Sequence, residues 1–289
     1  MRTDQAMALE IEPQEQEILN SVDIPPRPKA LLTVSEEAKK DEPDFPTIAH
    51  AIADDVSISS AVLRVVNSPA FRRANAIGSI DQALNMLGFK RVLSIVNAVA
   101  VRSASKANAD LEEFWTFASS VAHACVIITK ALKRPQLGDD AYTLGLFHTA
   151  GVPIMMSRFA EYTDFFTSAE QEGWTLSINR EKEEFNTTHT SIGALMAQEW
   201  SLPENIVDAI YNLHYADGIF ESDDIDETTL QLIAVLKMAR DICHEYLQSN
   251  CGSDEWVQVE AQVLDFLEID EDKWLDIREK VISGLDEEE

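Results

Sequence analysis

Apolar residues recur along most of the chain at the three- and four-residue spacing that places them on one face of an α-helix. The stretches "TIAHAIADD", "FWTFASSVAHACVIITKALKR" and "TTLQLIAVLKMARDICHEYL" are the clearest cases. Strict alternation of apolar and polar residues, which is typical of a half-buried strand, is almost absent. The pattern therefore predicts an all-α fold.

Capping residues predict several of the helix ends. Ser57 is expected to be the N-cap of the helix in "SISSAVLRVV". Ser79, with Gln82 three residues later, forms a capping box, and Gly88 is expected to close that helix. The later helix in "DDAYTLGLFHTAG" is expected to end at Gly151.

A polar stretch, "SASKANAD", interrupts two apolar helical regions near residues 104–112. The charge of the chain also differs between the two sides of this stretch. We therefore predict two contacting helical subdomains, over residues 15–109 and 110–217. A tail over residues 1–14 precedes them, and an acidic loop with C-terminal helices fills residues 218–289.

The composition, with 45% hydrophobic residues in 289, is that of a globular protein. No apolar run reaches about 18 residues, and the N-terminus lacks the basic and apolar regions of a signal peptide. Cys125, Cys243 and Cys251 have no metal-type spacing, and the first two lie in apolar helical surroundings that suit a reducing compartment. We therefore expect a cytoplasmic protein that is not attached to a membrane.

The net charge of −28 argues against nucleic acid or an anionic membrane as a general partner. Residues 56–109 nevertheless hold seven basic residues and one acid, a net charge of +6. These cations either pair with acidic helices of the same chain or form a face for an acidic partner, an anionic ligand or a second copy of the chain. The residues of this candidate basic face are Arg64, Arg72, Arg73, Lys90 and Arg91.

The stretch "LGLFHTAGVPIMM" places His148 between an apolar half-helix and a turn of small residues. An aspartate directly after this histidine would favour a metal site, but the next residue is Thr149. His148 is therefore either a helix-end histidine bonded to the backbone or a metal ligand. In the second case it would act together with His189 and His214, because three imidazoles can hold zinc.

The order of several motifs is similar to that of a known family. "DIPPRPKALL", "DDVSISSAVLRVVNSPAF" and "SIDQALNMLGFKRVLSIV" are followed by "LGLFHTAGVPIMM" and "HTSIGALMAQEWSLPENIVDAIYNLH". Together, over roughly residues 15–215, they resemble the HDOD domains, the HD-related output domains of bacterial signalling proteins. The resemblance implies the helical bundle of the HD superfamily of metal-dependent phosphohydrolases.

The same resemblance implies a degenerate metal pocket. Active HD relatives bind divalent metal through a His on a long helix, a His-Asp pair and a later Asp, and the metal activates a water. The first His position falls on Phe117, the Asp of the pair on Thr149, and the later Asp on Arg240. The vestigial pocket that the resemblance implies comprises Phe117, His148, Thr149, His189, His214 and Arg240.

The sequence allows two interpretations of Arg240. An arginine on a helix usually reaches solvent, but a guanidinium at a vacated metal position could replace the charge of the metal by pairing with an acid or binding an anion.

We therefore expect a non-catalytic signalling or regulatory module without a cofactor, which acts on a signalling protein partner or a small ligand. Homodimer formation is a further candidate contact. The alternative is a divergent metal-dependent phosphohydrolase acting on a nucleotide or cyclic nucleotide.

Overall fold

The computed structural model describes residues 18, 29–40, 42–67, 77–89, 92, 93, 95–97, 112–215, 218–248 and 254–287. Fourteen α-helices have both ends within these ranges, and no strand occurs in them. The all-α prediction is therefore confirmed. The predicted boundary near residues 104–112 lies mostly outside the described residues, so the subdomain limits stay a prediction.

Four short helices form the N-terminal part, and each packs against at least one of the others. They are α1 (Lys29–Ala38), α2 (Phe45–Ala53), α3 (Val56–Val66) and α4 (Ile80–Leu87).

Ten helices form the remainder. They are α5 (Glu112–Ala131), α6 (Gly138–Phe147), α7 (Gly151–Arg158), α8 (Tyr162–Glu172), α9 (Trp174–Phe185), α10 (His189–Glu199), α11 (Glu204–Tyr211), α12 (Glu227–Gln248), α13 (Asp254–Leu267) and α14 (Glu271–Asp286). Helix α5 is central and packs against α6, α12 and α14. Helix α10 packs against α7 and α11, and α12 packs against α11 and α13. The ends of α6, α10 and α11 and the middle of α12 are thereby brought towards one region.

The N-terminal caps agree with the sequence analysis at one helix and differ at another. Ser79 caps α4 by accepting a hydrogen bond from the backbone N–H of Gln82, and Gly88 closes the helix with a φ of 82°. The prediction for α3 is wrong, because Asp55 is the N-cap and accepts from Ile58 N. The Asp55 carboxylate is the stronger acceptor for the positive end of the helix, and it starts the helix two residues earlier.

Asn67 ties the end of α3 to the residues that precede α4. Its amide donates to Leu63 O at 2.7 Å and to Ile77 O at 2.9 Å, and its Oδ1 accepts from Ile77 N at 2.7 Å. The two hydrogen bonds to Ile77 hold the ends of the intervening connection together, and the bond to Leu63 orients the Asn67 side chain.

Helix α6 ends four residues earlier than predicted, at Phe147, and His148 is its C-cap. Gly151 instead begins α7. A Cβ atom at Gly151 would lie 2.0 Å from the carbonyl oxygen of His189 at the start of α10. The glycine is needed for this close approach of α7 and α10, and it does not end a helix.

The stretch Phe114–Ala131 of α5 is long and apolar enough to cross a membrane by length and composition. In this fold 56% of that stretch is buried, and α5 packs against three other helices. It therefore serves as a core helix here.

Candidate functional site

Three of the candidate residues meet at the converging helix ends. His148 follows α6, His189 begins α10, and His214 lies three residues beyond α11. The Nε2 atoms of His189 and His214 are 3.2 Å apart. All three rings are buried, and His148 interacts electrostatically with the other two. We call these three residues the histidine cluster.

Glu181 of α9 holds His189 in place. Its Oε1 accepts from the backbone N–H of His189 at 2.9 Å, and its Oε2 lies 3.0 Å from Nδ1 of the same residue. The hydroxyl of Tyr162 also donates to Oε1, and burial raises the pKa of this tyrosine well above its usual range. Glu181 is fully buried, so its carboxylate depends on these donors for the hydrogen bonds that water would otherwise give.

Glu255 of α13 contacts His214 in the same way as Glu181 contacts His189. Its Oε2 lies 3.2 Å from Nδ1 of His214, and its Oε1 accepts from Nζ of Lys237 at 2.6 Å. Lys237 also donates to the backbone oxygen of Leu213 at 2.8 Å. A guanidinium nitrogen of Arg240 is 3.9 Å from Oε2. We call His214, Lys237 and Arg240 the basic trio.

The charges around Glu255 outweigh the effect of its burial. Burial would raise the pKa of this carboxyl, but the charges of Lys237 and Arg240 and the hydrogen bond with His214 hold it well below its usual range. Glu255 is therefore ionised, and Nδ1 of His214 must carry the hydrogen that it shares with this carboxylate.

The backbone fixes the tautomer of His148. Its Nδ1 is 2.6 Å from the carbonyl oxygen of Gly145, which only accepts hydrogen bonds, so Nδ1 carries the hydrogen. Burial, followed by the charge of Arg240, lowers the pKa of His148 well below its usual value. Its Nε2 is then a buried acceptor, and it has no hydrogen-bond partner among the residues that the structure describes.

The contact between His189 and His214 requires a shared proton. Burial lowers the pKa of His214 to about 3, so this ring is neutral and its Nε2 is an acceptor. The 3.2 Å contact therefore places a hydrogen on Nε2 of His189. Nδ1 of His189 faces Oε2 of Glu181 at 3.0 Å. The result is a buried hydrogen-bonded chain from Glu181 through both rings to Glu255.

Trp174, the first residue of α9, covers one side of this chain. Its ring stacks on His214 with a centroid distance of 5.1 Å and an angle of 18° between the rings. It also contacts His189 at 4.3 Å and is itself buried. The indole therefore limits the access of water to both imidazoles.

The remaining pocket candidates occupy different positions. Phe117 of α5 is half-buried, and its ring lies 4.6 Å from that of His244, one turn beyond Arg240 on α12. Thr149 is buried, and its hydroxyl has no hydrogen-bond partner in the described part of the chain. The expectation that Arg240 reaches solvent is wrong, because only 6% of its side chain is exposed. Instead Arg240 lies beside Glu255, with a guanidinium nitrogen 3.9 Å from Oε2.

The candidate basic face lies mainly outside the described residues. Arg64 on α3 is exposed, whereas Arg72, Arg73, Lys90 and Arg91 are not described. The face therefore stays a prediction.

The residues of this site do not fit a divalent metal in the present arrangement. The described ranges contain no group of three or more His, Cys, Asp and Glu side chains placed to hold a metal ion. Thr149 supplies no carboxylate after His148, and the fixed positive charges of Lys237 and Arg240 oppose a further cation.

Sequence reasoning missed four residues of the site: Trp174, Glu181, Lys237 and Glu255. Lys237 carried a signal, since it interrupts an apolar run of α12 three residues before Arg240. The two glutamates stand in stretches with other acidic residues, so nothing in the sequence marked them as buried.

We expect the stability of the protein to fall on acidification because of the buried histidines. The folded state keeps His148 and His214 neutral, whereas the unfolded chain protonates them near pH 6.5. The unfolded state therefore binds more protons, and stability is lost as the pH falls from about 6.5 towards 3. From pH 7 to pH 5, His214 alone should lower the free energy of unfolding by about 2 kcal/mol. Urea denaturation at several pH values measures this slope.

Two variants test the cause of this pH dependence. His214→Asn should reduce the change of the free energy of unfolding with pH, whereas the control His50→Gln, at an exposed position of α2, should leave it as in wild type. An equal slope in wild type and His214→Asn would contradict the assignment.

Comparison with known proteins agrees with this fold. Residues 24–216 match the HDOD domain family. The fold is similar to that of a phosphohydrolase-like protein from Shewanella amazonensis, with a TM-score of 0.71 and 23% identity over 96% of both chains. It is also similar to an HDOD domain protein of unknown function from Geobacter sulfurreducens, with a TM-score of 0.63 and 20% identity over 94% of this chain and 97% of the other. At these identities the structural similarities show the fold alone.

Two relatives were found by sequence. An uncharacterized protein of Treponema pallidum is 25% identical over 217 residues, which are 72% of this chain and 42% of that protein. The uncharacterized protein YuxH of Bacillus subtilis is 27% identical over 101 residues, which are 35% of this chain and 25% of that protein. The chain thus spans less than half the length of either relative.

The family match itself covers more than half of this chain, which confirms the resemblance seen in the sequence: the chain belongs to the HDOD domain family.

Proposed function

We propose that this chain is a non-catalytic regulatory module of signal transduction, which acts by binding a partner protein or a small ligand. One observation carries the proposal: Arg240, a fixed cation, lies buried beside the histidine cluster, where the resemblance to HD enzymes places a metal-binding carboxylate. The HDOD family match supports a signalling role. A similar fold, with a TM-score of 0.68 at 20% identity, occurs in a signal transduction protein from Marinobacter aquaeolei, of which it covers 60%.

The chemistry of phosphohydrolysis explains why Arg240 matters. A bound divalent metal lowers the pKa of its water enough to supply hydroxide at neutral pH. A guanidinium stabilises negative charge but does not coordinate and deprotonate a water in this way. The site also has Thr149 in place of the bridging carboxylate. Its buried polar groups are mostly paired with one another, so the network is stable without a metal.

The partner contact is proposed for the basic face, where the described Arg64 is exposed. An acidic protein or an anionic ligand would match the net charge of +6 over residues 56–109.

Metal content and hydrolysis together test the proposal. We expect purified protein to hold divalent metal well below one ion per chain, and to show no specific binding when Mn²⁺, Fe²⁺ or Zn²⁺ is titrated into it. We also expect no metal-dependent hydrolysis of a phosphodiester such as bis(p-nitrophenyl) phosphate. A matched gain-of-function variant, Phe117→His with Thr149→Asp and Arg240→Asp, restores the missing ligand types and should bind more metal than wild type.

The runner-up is a divergent metal-dependent phosphohydrolase. The observation in its favour is that each Nδ1 of the histidine cluster faces an outer acceptor, as the second nitrogen of a metal-bound histidine usually does. One or more tightly held ions per chain, lost in His148→Ala together with hydrolysis, would establish the runner-up and overturn the proposal.

A further inference from the structure

The basic trio around Glu255 is a feature that the proposed regulatory function does not by itself explain. Its three donors come from two parts of the fold: His214 follows α11, whereas Lys237 and Arg240 lie one turn apart on α12. All three side chains are buried, and they converge on one carboxylate that α13 supplies.

The carboxylate does not use all of these donors. Its two oxygens accept from Lys237 and His214, at 2.6 and 3.2 Å. Arg240 stays 3.9 Å away, beyond hydrogen-bond distance, although a guanidinium carries five donors. Arg240 makes no closer contact with an acid among the described residues, and its side chain is 94% buried. A buried guanidinium left without a hydrogen-bonded anion is costly.

A second observation concerns His148, whose ring offers a hydrogen-bond acceptor that no described residue uses. Nε2 of His148 is a buried acceptor without a partner in the described part of the chain, and the charge of Arg240 acts on this ring. A tetrahedral oxyanion has more oxygens than a carboxylate and, when it carries a hydrogen, can also donate. It could therefore accept hydrogen bonds from Lys237, His214 and Arg240 at the same time and donate a hydrogen bond to Nε2 of His148.

We propose that the basic trio is a binding site for a phosphate group of a small molecule, and that Glu255 occupies it as an internal substitute. Binding of the phosphate displaces Glu255 and loosens α13 from α12. The α13 helix suits this part because its packing partners include α12, the turn Ile219–Glu221 and, through Trp256, α14, and because Val257 on its outer side is 77% exposed. The inference deepens the proposed regulatory function by naming a ligand class. Its test measures phosphate binding, whereas the test of the proposed function measures metal content and hydrolysis, so each proposal can fail without the other.

Titration of orthophosphate into the full chain tests this site, with tryptophan fluorescence as the readout. Trp256 follows Glu255, is buried, and packs against Trp274 at 4.9 Å, so release of α13 exposes it to an added quencher. We expect a saturable increase in quenching with orthophosphate that is absent in Trp256→Phe. Sodium chloride at equal ionic strength should not reproduce it, and acetate should bind more weakly because it has only two oxygens.

The variants make the test specific. In Glu255→Gln the internal competitor has lost its charge, so orthophosphate should bind at least tenfold more tightly than in wild type. Asp265→Asn, at an exposed position of the same helix, should bind as wild type does. Arg240→Gln should weaken binding at least tenfold. If Glu255→Gln does not fold, Glu255→Asp, which keeps the charge but shortens the side chain, should show an affinity above that of wild type.

Three results would overturn the inference. In the first, neither Glu255 variant raises the affinity for orthophosphate, and in the second, Arg240→Gln does not lower it. In the third, acetate binds as tightly as orthophosphate.

Discussion

We expect Gly151→Ala to lower the free energy of unfolding by at least about 3 kcal/mol, which corresponds to a fall of roughly 6–10 °C in Tm. The added Cβ would lie 2.0 Å from the carbonyl oxygen of His189 and 2.8 Å from the backbone nitrogen of Gly193. Both atoms belong to the backbone of α10, so no side chain can rotate to make room. Helix α10 would have to move away from α7.

The same movement should disturb the histidine cluster, because His189 begins α10 and its carbonyl is the atom that the new methyl group meets. We therefore expect the pH dependence of stability to change in Gly151→Ala, in addition to the loss of stability. Thermal and urea denaturation at pH 7 and pH 5 measure both effects.

Gly284 of α14 supplies a matched control. A Cβ there would lie 2.5 Å from Cδ1 of Ile127, the end of a flexible and only partly buried side chain. We expect Gly284→Ala to change the free energy of unfolding by less than about 1 kcal/mol, because Ile127 can adopt another rotamer. If the two variants were equally stable, the close packing of α7 on α10 would be disproved.

The second large effect is expected for Glu181→Ala, which should lower the free energy of unfolding by about 3–5 kcal/mol. Removal of the carboxylate leaves the Tyr162 hydroxyl, the backbone N–H of His189 and Nδ1 of its ring without their buried partner. These groups cannot turn to solvent, because Tyr162 and His189 are almost fully buried. Urea denaturation at pH 7 measures the loss.

The conservative variant Glu181→Gln should cost much less, about 1–2 kcal/mol. The amide oxygen of Gln can still accept from Tyr162 and from the His189 backbone, and its NH₂ group can donate to Nδ1. His189 then keeps a hydrogen on Nε2 for His214. Glu184→Ala, at an exposed position of the same helix, should have almost no effect. Equal losses in the Gln and Ala variants would show that the hydrogen-bonded chain is not organised as described.

The helices and their order could be predicted from the sequence, because the apolar spacing of each segment acts locally. The capping box at Ser79 and Gln82 and the closing Gly88 are local as well, and the structure confirms Ser79 and Gly88 as the caps of α4. The prediction failed at α3 and α6, where several polar or small residues stood close together. At α3 the charge of the Asp55 carboxylate favoured it over Ser57 as the cap. At α6 the role of Gly151 depended on its close approach to α10.

The resemblance carried by the order of the motifs also predicted that Phe117, Thr149 and Arg240 stand at positions where HD enzymes hold metal ligands. Only the tertiary structure decided that Arg240 is buried, that His189 contacts His214, and that Glu181 and Glu255 are their partners. These pairs are separated by 8 to 41 positions in the chain, and a glutamate in an acidic stretch looks the same whether it faces water or a buried histidine. Helix packing, and not local pattern, sets which of these carboxylates loses its water and must find a donor inside the protein.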